Sequence, residues 1–294
     1  MPSSYSLGLI GYPLGHSLSP VLHQTALAEA GLAGEYSLFQ IPPLPEGRQE
    51  LVALLDRLRR GELQGLNVTI PHKQSVLPLV DDLTSSARAI GAVNTLFLQA
   101  GRLIGHNTDA PGFLADVSKL PLLGSKTAFV LGAGGAARAV VYALLNQGWQ
   151  VRITDLYPQQ AIGLHDHFSQ QSIDITKLEV TEFSPAAIRQ AANGAHLIIN
   201  TTPVGMHPNV EACPWPEGLP FPKKVCLYDV IYNPAETKLM TLATAAGLPT
   251  RNGLGMLVEQ AALSFECWTG FHPSRSLMLD GVIQLNPQMA RSTP

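Results

Sequence analysis

Cysteine, charge and long apolar runs are all scarce in this 294-residue chain, and each scarcity excludes something. The three cysteines, Cys213, Cys226 and Cys267, are odd in number and lack a C-x-x-C spacing, which argues against a disulfide framework or a zinc knuckle. A reducing, cytoplasmic setting is the expectation. Charged residues make up 14%, against about 25% in typical domains, and the formal net charge is −3 with no block of like charge. No basic face therefore presents itself to nucleic acid, and a small molecule is the expected partner of a monomer or homodimer. No run approaches about 18 apolar residues and no Lys or Arg precedes Arg48, so neither a membrane span nor the charged start of a secretory signal is expected. Apolar content, at 46%, is ample for a core, and a prior of roughly 100–200 residues per domain suggests two domains.

The N-terminal region alternates strand and helix. Tyr5 to Ile10 reads as a strand, and Ser19-Pro20 as a helix N-cap with proline at the first helical position. Glu35 to Ile41 is a second strand, Pro45 to Arg60 an amphipathic helix, and Gly65 to Ile70 a strand stopped by Pro71. Two β-α-β units imply a parallel sheet. Ala92 to Gln99 and Arg102 to Ile104 close this region, and Asp109 marks a new helix start. A second series opens with the strand Thr127 to Leu131, a glycine turn and a helix to Gln147. Strands follow at Gln150–Thr154, Ala195–Asn200 and Val225–Val230, which is a second doubly wound α/β unit. Six prolines between Pro203 and Pro222 make that stretch an extended loop. Helices at Gly255–Thr269 and from Ser274 to about Met289 have no strands to cross over and are expected to return to the first domain.

The turn Gly132-Ala133-Gly134-Gly135-Ala136-Ala137 matches the dinucleotide fingerprint in its required setting, after a strand and before a helix. Gly132 permits the tight turn, Gly134 lets backbone approach a pyrophosphate, and Ala137 allows close helix–strand packing. Asp155, just past the next strand, is placed to meet an adenosine ribose.

Four polar clusters fall at the ends of elements: Ser17-Leu18-Ser19-Pro20, Asn67-Val68-Thr69 with Lys73, Gly91-Ala92-Val93-Asn94-Thr95, and Asn107-Thr108-Asp109. Ligands of open α/β sheets bind outside the carboxyl ends of strands, so the clusters imply one polar pocket. Taken singly, each has a plain structural reading: Ser19 and Asp109 as N-caps, Lys73 as a solvated lysine, Asn94 as a turn residue.

Together and in this order, with Gly11-Tyr12-Pro13, the glycine turn, Tyr232-Asn233-Pro234, Gly253 and Gln260, these motifs resemble the shikimate dehydrogenase family over nearly the whole chain. The resemblance implies reversible hydride transfer between a nicotinamide cofactor and shikimate or 3-dehydroshikimate. It implies a substrate-binding domain of residues 1–109 plus 253–294 and a dinucleotide-binding Rossmann domain of 110–252. Carried over, Ser17 and Ser19 hold the substrate carboxylate with Tyr232 nearby. Asn67, Thr69, Asn94 and Gln260 bind ring hydroxyls, and Lys73 and Asp109 form the catalytic pair. Gly132, Ala133, Gly134, Gly135, Ala136, Asp155 and Gly253 are the cofactor-binding positions. A lysine ordinarily titrates near 10.4 and a neighbouring carboxylate favours its charged form, so burial must oppose both if lysine is the base.

One departure bears on the cofactor. Where members using NADP resemble Asn-Arg-Thr-x-x-Arg, this chain reads Asp155-Leu156-Tyr157-Pro158-Gln159-Gln160, so both arginines are missing. Asp155 would repel a 2′-phosphate, and NAD is therefore the expected cofactor, with NADP second. The competing reading makes Asp155 a cap and lets Arg138 or Arg152 reach the phosphate. Other chemistries find less support. His165-Asp166-His167 has a spacing that points its histidines apart on a helix, so no metal is expected. Gly15-His16-Ser17 lacks the turn of a serine hydrolase. Quinate oxidation, alone or alongside shikimate, is the alternative activity, and a catalytically silent dinucleotide sensor is the alternative class.

Overall fold

The computed structural model describes residues 4–122 and 124–292; the outermost residues of the expected first domain, 1–3 and 293–294, lie outside them. The chain divides into two compact units, Met1–Gly112 with Leu257–Pro287 and Phe113–Met256 with Gln288–Pro294. No helix among the described residues is long and apolar enough to cross a membrane.

The first unit runs β1 (Tyr5–Gly11), α1 (Ser19–Glu29), β2 (Gly34–Gln40), α2 (Arg48–Arg59), β3 (Gly65–Val68), β4 (Asp82–Leu83), α3 (Ser85–Ile90), β5 (Thr95–Gln99) and β6 (Arg102–His106), and α4 (Asp109–Val117) leads out of it. Its strand order is β2-β1-β3-β5-β6-β4. The parallel pairing expected of the two β-α-β units is found in β1, β2 and β3, and the sheet is mixed beyond them. β1 pairs in parallel with β2 and β3, but β5 runs antiparallel to both β3 and β6. The reason is chain length: Gln99 and Arg102 pair across the two-residue turn Ala100-Gly101, and a parallel partner would need a crossover of a dozen or more residues. The consequence for function is direct. The amino end of β5 lies at the carboxyl edge of β3, so Asn94 and Thr95 arrive beside Asn67 from the opposite chain direction.

Amphipathic spacing builds the core under this edge. Leu51, Leu54, Leu55 and Leu58 stand at the i, i+3, i+4, i+7 positions of α2 and are all buried against Leu66, Val68, Leu96 and Leu103 of the sheet. Fully burying each leucine contributes roughly 1.5–3 kcal/mol.

The second unit continues with β7 (Thr127–Leu131), α5 (Gly135–Asn146), β8 (Gln150–Thr154), α6 (Pro158–Ser169), β9 (Leu178–Val180), α7 (Pro185–Ala192), β10 (Leu197–Asn200), β11 (Cys226–Asp229), α8 (Lys238–Ala245) and β12 (Thr250–Asn252). Its six strands are parallel in the order β12-β11-β10-β7-β8-β9, a doubly wound sheet that changes direction between β7 and β10. The proline-rich stretch between β10 and β11 forms neither helix nor strand. Two terminal helices follow, α9 (Leu254–Thr269) and α10 (Arg275–Leu285), and α10 packs on α1 in the first unit.

Two buried carboxylates knot the second unit. Asp116 takes both ends of the Arg251 guanidinium, at 3.0 and 2.6 Å, and the Tyr228 hydroxyl at 2.8 Å. Asp229, at the carboxyl end of β11, accepts from Asn200 Nδ2, Thr237 Oγ1 and the Ile231 amide at 2.9, 2.7 and 3.1 Å. It thereby closes the loop that carries Tyr232. Burial outweighs these three donors and pushes the Asp229 carboxyl from 3.8 up to about 6. The folded chain then binds this proton more tightly than the unfolded chain does. The group's contribution to stability is full below pH 3.8 and is lost as the pH rises through about 6. Asp229→Asn should therefore gain stability relative to the parent between pH 4 and pH 7, by on the order of 2–3 kcal/mol. Urea denaturation at the two pH values measures this; an unchanged difference between the proteins would contradict it.

Candidate active site

In the first unit the polar clusters meet at one edge of the sheet. Asn107 caps α4: its Oδ1 accepts the amides of Asp109 and Ala110 at 3.0 and 3.3 Å, while its Nδ2 donates to the Ala92 carbonyl. Asp109 is thus the first residue of the helix rather than its cap, and its carboxylate is left for other work. Lys73 sits on the irregular segment after β3, anchored where its carbonyl accepts the Val93 amide. Its Nζ donates to Asp109 Oδ2 at 2.7 Å, with the lysine side chain 16% exposed and the aspartate 5%. Asp109 Oδ1 accepts from Asn94 Nδ2 at 3.0 Å. Both carboxylate oxygens therefore carry donors.

Asn94 and Gln260 join this pair. The Asn94 amide nitrogen also lies 2.8 Å from Thr108 Oγ1 and 3.2 Å from Gln260 Oε1, and its Oδ1 accepts from Thr95 Oγ1 and the Thr108 amide. Gln260 Nε2 donates to the Leu257 carbonyl, which leaves one of its two protons uncommitted. Asn67 is placed differently from the expectation that it binds a ring hydroxyl. Its Nδ2 donates to the Asn94 carbonyl and Ser264 Oγ, and its Oδ1 accepts from Tyr36 Oη and His23 Nε2, so all four positions are filled from within the protein.

Ser17 and Ser19 flank the start of α1. Ser19 is inside the helix rather than its N-cap; the cap is Leu18, which has no polar side chain to bond the first turn. The Ser19 amide points to Ser17 Oγ at 3.3 Å. Thr69 is half-buried just past β3, its amide donating to the Ile10 carbonyl. His72 is buried with Nε2 on the Ile41 carbonyl at 2.8 Å.

In the second unit the glycine turn fits a dinucleotide. Gly132 has φ +96°, and a Cβ there would strike Thr201 and Thr202. A Cβ on Gly134 would meet nothing, so the space over the N-terminus of α5 is open, and no side chain caps that helix. Gly135 and Ala136 form its first turn. Gly253, expected to touch the cofactor, lies so close to the Val230 backbone that no side chain fits there. Tyr232 is half-buried on the loop after β11.

Several members of the first site are not singled out by the sequence: Thr95, Thr108, Ser264, His23 and Tyr36. A signal exists for two of them. Ser264 is four residues beyond Gln260 on α9, and His23 four beyond Ser19 on α1, so each shares a helix face with a residue already chosen.

Comparison with known proteins follows this geometry closely. Residues 9–96 match the shikimate dehydrogenase substrate binding domain and residues 253–280 the shikimate 5′-dehydrogenase C-terminal domain. A shikimate dehydrogenase (NADP(+)) of Carboxydothermus hydrogenoformans is 40% identical over 273 residues, covering 92% of this chain and 94% of that protein. The Thermus thermophilus shikimate 5-dehydrogenase, solved with NADP(H) and shikimate, is 37% identical with a TM-score of 0.80, covering 95% of this chain and 99% of that one. A quinate dehydrogenase of Corynebacterium glutamicum, solved with NAD, is 33% identical with a TM-score of 0.82, covering 96% and 99%.

These findings overturn the expectation of NAD as the cofactor. Relatives 39–41% identical carry the name shikimate dehydrogenase (NADP(+)), and the Thermus enzyme was solved with NADP(H). The structure supplies the physical reason. The repulsion argument needs Asp155 as a free carboxylate facing the ribose, but Oδ2 accepts the Ala133 amide at 2.7 Å and Oδ1 the Tyr157 amide at 2.8 Å. It ties the glycine turn to the loop before α6, and the two amides offset its charge. Arg152 points elsewhere, its guanidinium on the Ala191 and Asn193 carbonyls and Glu179. Arg138 is buried, its Nη2 donating to the Gly163 carbonyl at 3.4 Å while its Nε has no partner among the described residues. Because Asp155 acts on the turn, Asp155→Ala should weaken the binding of NADP and NAD together. Titration of each nucleotide checks this: a ratio of dissociation constants within about three-fold of the parent is expected, less than the tenfold that 1.4 kcal/mol would give. A selective gain for NADP would restore the repulsion argument.

Proposed function

The chain belongs to the shikimate dehydrogenase family, and on that premise we propose that it interconverts shikimate and 3-dehydroshikimate using NADP. The first unit is the substrate-binding part and the second the dinucleotide-binding part. The observation that carries the reading is the Lys73–Asp109 pair, held at 2.7 Å in a nearly buried setting and steadied by Asn94. A silent dinucleotide sensor has no chemical need of such a pair.

Oxidation of a secondary alcohol requires its hydroxyl proton to leave as the C–H hydride departs. The bound nicotinamide supplies the hydride acceptor. Asp109, with donors on both oxygens, orients Lys73. Lys73 Nζ is the group with protons to exchange: as the free amine it takes the C3 hydroxyl proton, and as the ammonium it returns a proton to the carbonyl oxygen in the reverse reaction. The proton gained by Nζ stays within hydrogen-bond reach of Asp109 Oδ2.

Ser17 and Ser19 receive the carboxylate at the start of α1, where the two serines stand close together beside a helix N-terminus. Thr69 and the uncommitted proton of Gln260 meet the ring hydroxyls, and Asn67 and Asn94 fix the floor beneath them. In the second unit Gly132, Ala133, Gly134, Gly135 and Ala136 hold the pyrophosphate. Arg138, buried with an unpartnered Nε, is the cation available to the 2′-phosphate in place of the missing loop arginines. Quinate is the second substrate to consider, since a quinate dehydrogenase is among the similar structures. Its additional hydroxyl lies beside the carboxylate and would press on Ser17 and Ser19.

Lys73→Ala should lower kcat by about 10²–10⁴-fold with nucleotide binding intact. Ser17→Ala should instead raise the KM for shikimate about ten-fold or more, as loss of a hydrogen bond to a charged group would. Steady-state rates and a nucleotide titration check both. Near-parental turnover in Lys73→Ala and Asp109→Ala removes the assignment of the pair, and an unchanged KM in Ser17→Ala/Ser19→Ala removes that of the serines.

A further inference from the structure

Behind the Lys73–Asp109 pair a set of buried side chains is linked from His23 to Asp109, and the links fall into one consistent direction. Asp109 Oδ1 can only accept as a carboxylate, so Asn94 turns its Nδ2 toward it at 3.0 Å. Asn94 Oδ1 is then an acceptor and takes the Thr95 hydroxyl proton at 2.9 Å. Thr95, having spent its proton, must accept at its 2.7 Å contact with Ser264 Oγ. Two hydroxyl oxygens at that distance with no proton between them would repel, so Ser264 donates. The Gln260 carbonyl lies within reach of both the Thr108 hydroxyl, at 3.0 Å, and Ser264 Oγ, at 2.9 Å; in this arrangement Thr108 serves it and Ser264 turns to Thr95. Ser264 in turn accepts from Asn67 Nδ2 at 2.9 Å. Asn67 Oδ1 faces outward from this chain and accepts the Tyr36 hydroxyl at 2.8 Å and His23 Nε2 at 3.1 Å.

His23 must then carry its proton on Nε2. Its surroundings agree: the ring stacks on Tyr36 with centroids 4.3 Å apart and lies near Phe265 and Trp268, and Nδ1 is buried without a partner. Burial holds the imidazolium form down, to a pKa of about 3, so the ring is neutral at pH 7.

We propose that His23, Asn67, Ser264, Thr95 and Asn94 form a one-directional chain of hydrogen bonds that ends on Asp109, and that Thr95 and Ser264 are positioning residues for the Lys73–Asp109 pair. Each donor in such a chain is polarised by the bond it accepts, and the polarity converges on the carboxylate. The chain fixes the Asn94 amide with nitrogen toward Asp109, so that this carboxylate orients Lys73 rather than turning to compete for the substrate proton. The role of these residues rests on the function proposed above; their direction does not.

Two measurements test it. Nitrogen-15 spectroscopy of the labelled protein at pH 7, with the His23 signal identified by its loss in His23→Gln, should show a neutral ring protonated on Nε2. A ring protonated on Nδ1 would reverse the first link and overturn the proposal, whatever the substrate is. Thr95→Val keeps the shape and removes the hydroxyl; its kcat should fall about ten-fold, with the KM for shikimate within about two-fold of the parent. Thr95→Ser restores the hydroxyl and should return kcat to within about two-fold. Equal losses in the two variants, or none in Thr95→Val, would overturn the positioning role. Failure of Lys73→Ala to lose turnover would strike the function proposed above while leaving the spectroscopic result standing.

Discussion

The carboxylate of Asp109 has left water, and its surroundings are built around the need to satisfy it. An isolated carboxylate in a protein interior costs several kcal/mol, and that cost is recovered only when every lone pair finds a donor in good geometry. Lys73 meets one oxygen and Asn94 the other. Meeting these two demands accounts for much of the local architecture. Asn107 takes over the capping of α4 so that Asp109 is free of it, and the antiparallel β5 delivers Asn94 to the correct edge. α9 brings Gln260 and Ser264 against the same cluster. A parallel β5 would have carried Asn94 to the far edge of the sheet.

The second unit solves a different electrostatic problem. Its glycine turn leaves the amides at the start of α5 without a side-chain cap and the space above Gly134 open, a setting suited to phosphate. Asp155 sits beside that turn but faces it from below, holding Ala133 and Tyr157 by their amides. A carboxylate close to this turn thus serves as a tether. The loop it anchors exposes Leu156 and Tyr157 rather than a cation, which turns attention to Arg138 on α5.

Much of this is legible in the sequence, and the parts that are not share a cause. Hydrophobic periodicity and turn residues locate β1, α2, β7, α5 and β8 to within a few residues, because those elements bury one face or lie wholly inside. The glycine turn is likewise readable, since its chemistry depends on residue type at fixed positions, whereas the Lys73–Asp109 pair comes from the resemblance to the family and not from either residue alone. Strand direction is not: β5 reads the same forwards and backwards to any pattern of alternation, and only its partners decide it. Sequence points to Asp109 as the cap of α4 when Asn107 holds it, and to Ser19 as that of α1 when that serine lies inside the helix, because the choice turns on backbone angles. Asp155 misleads for a related reason. A carboxylate after the second strand is visible in the sequence, but whether it faces a ribose or a neighbouring amide is a matter of orientation. His23, Thr95 and Ser264 look like ordinary interior residues until Asn67 and Asn94 connect them.

The central claim is that this site oxidises shikimate with NADP, and initial rates with shikimate and quinate against NADP and NAD, in all four combinations, test it most directly. The account predicts the highest kcat/KM for shikimate with NADP. A higher value for quinate with NAD, or no turnover in any combination, would contradict it.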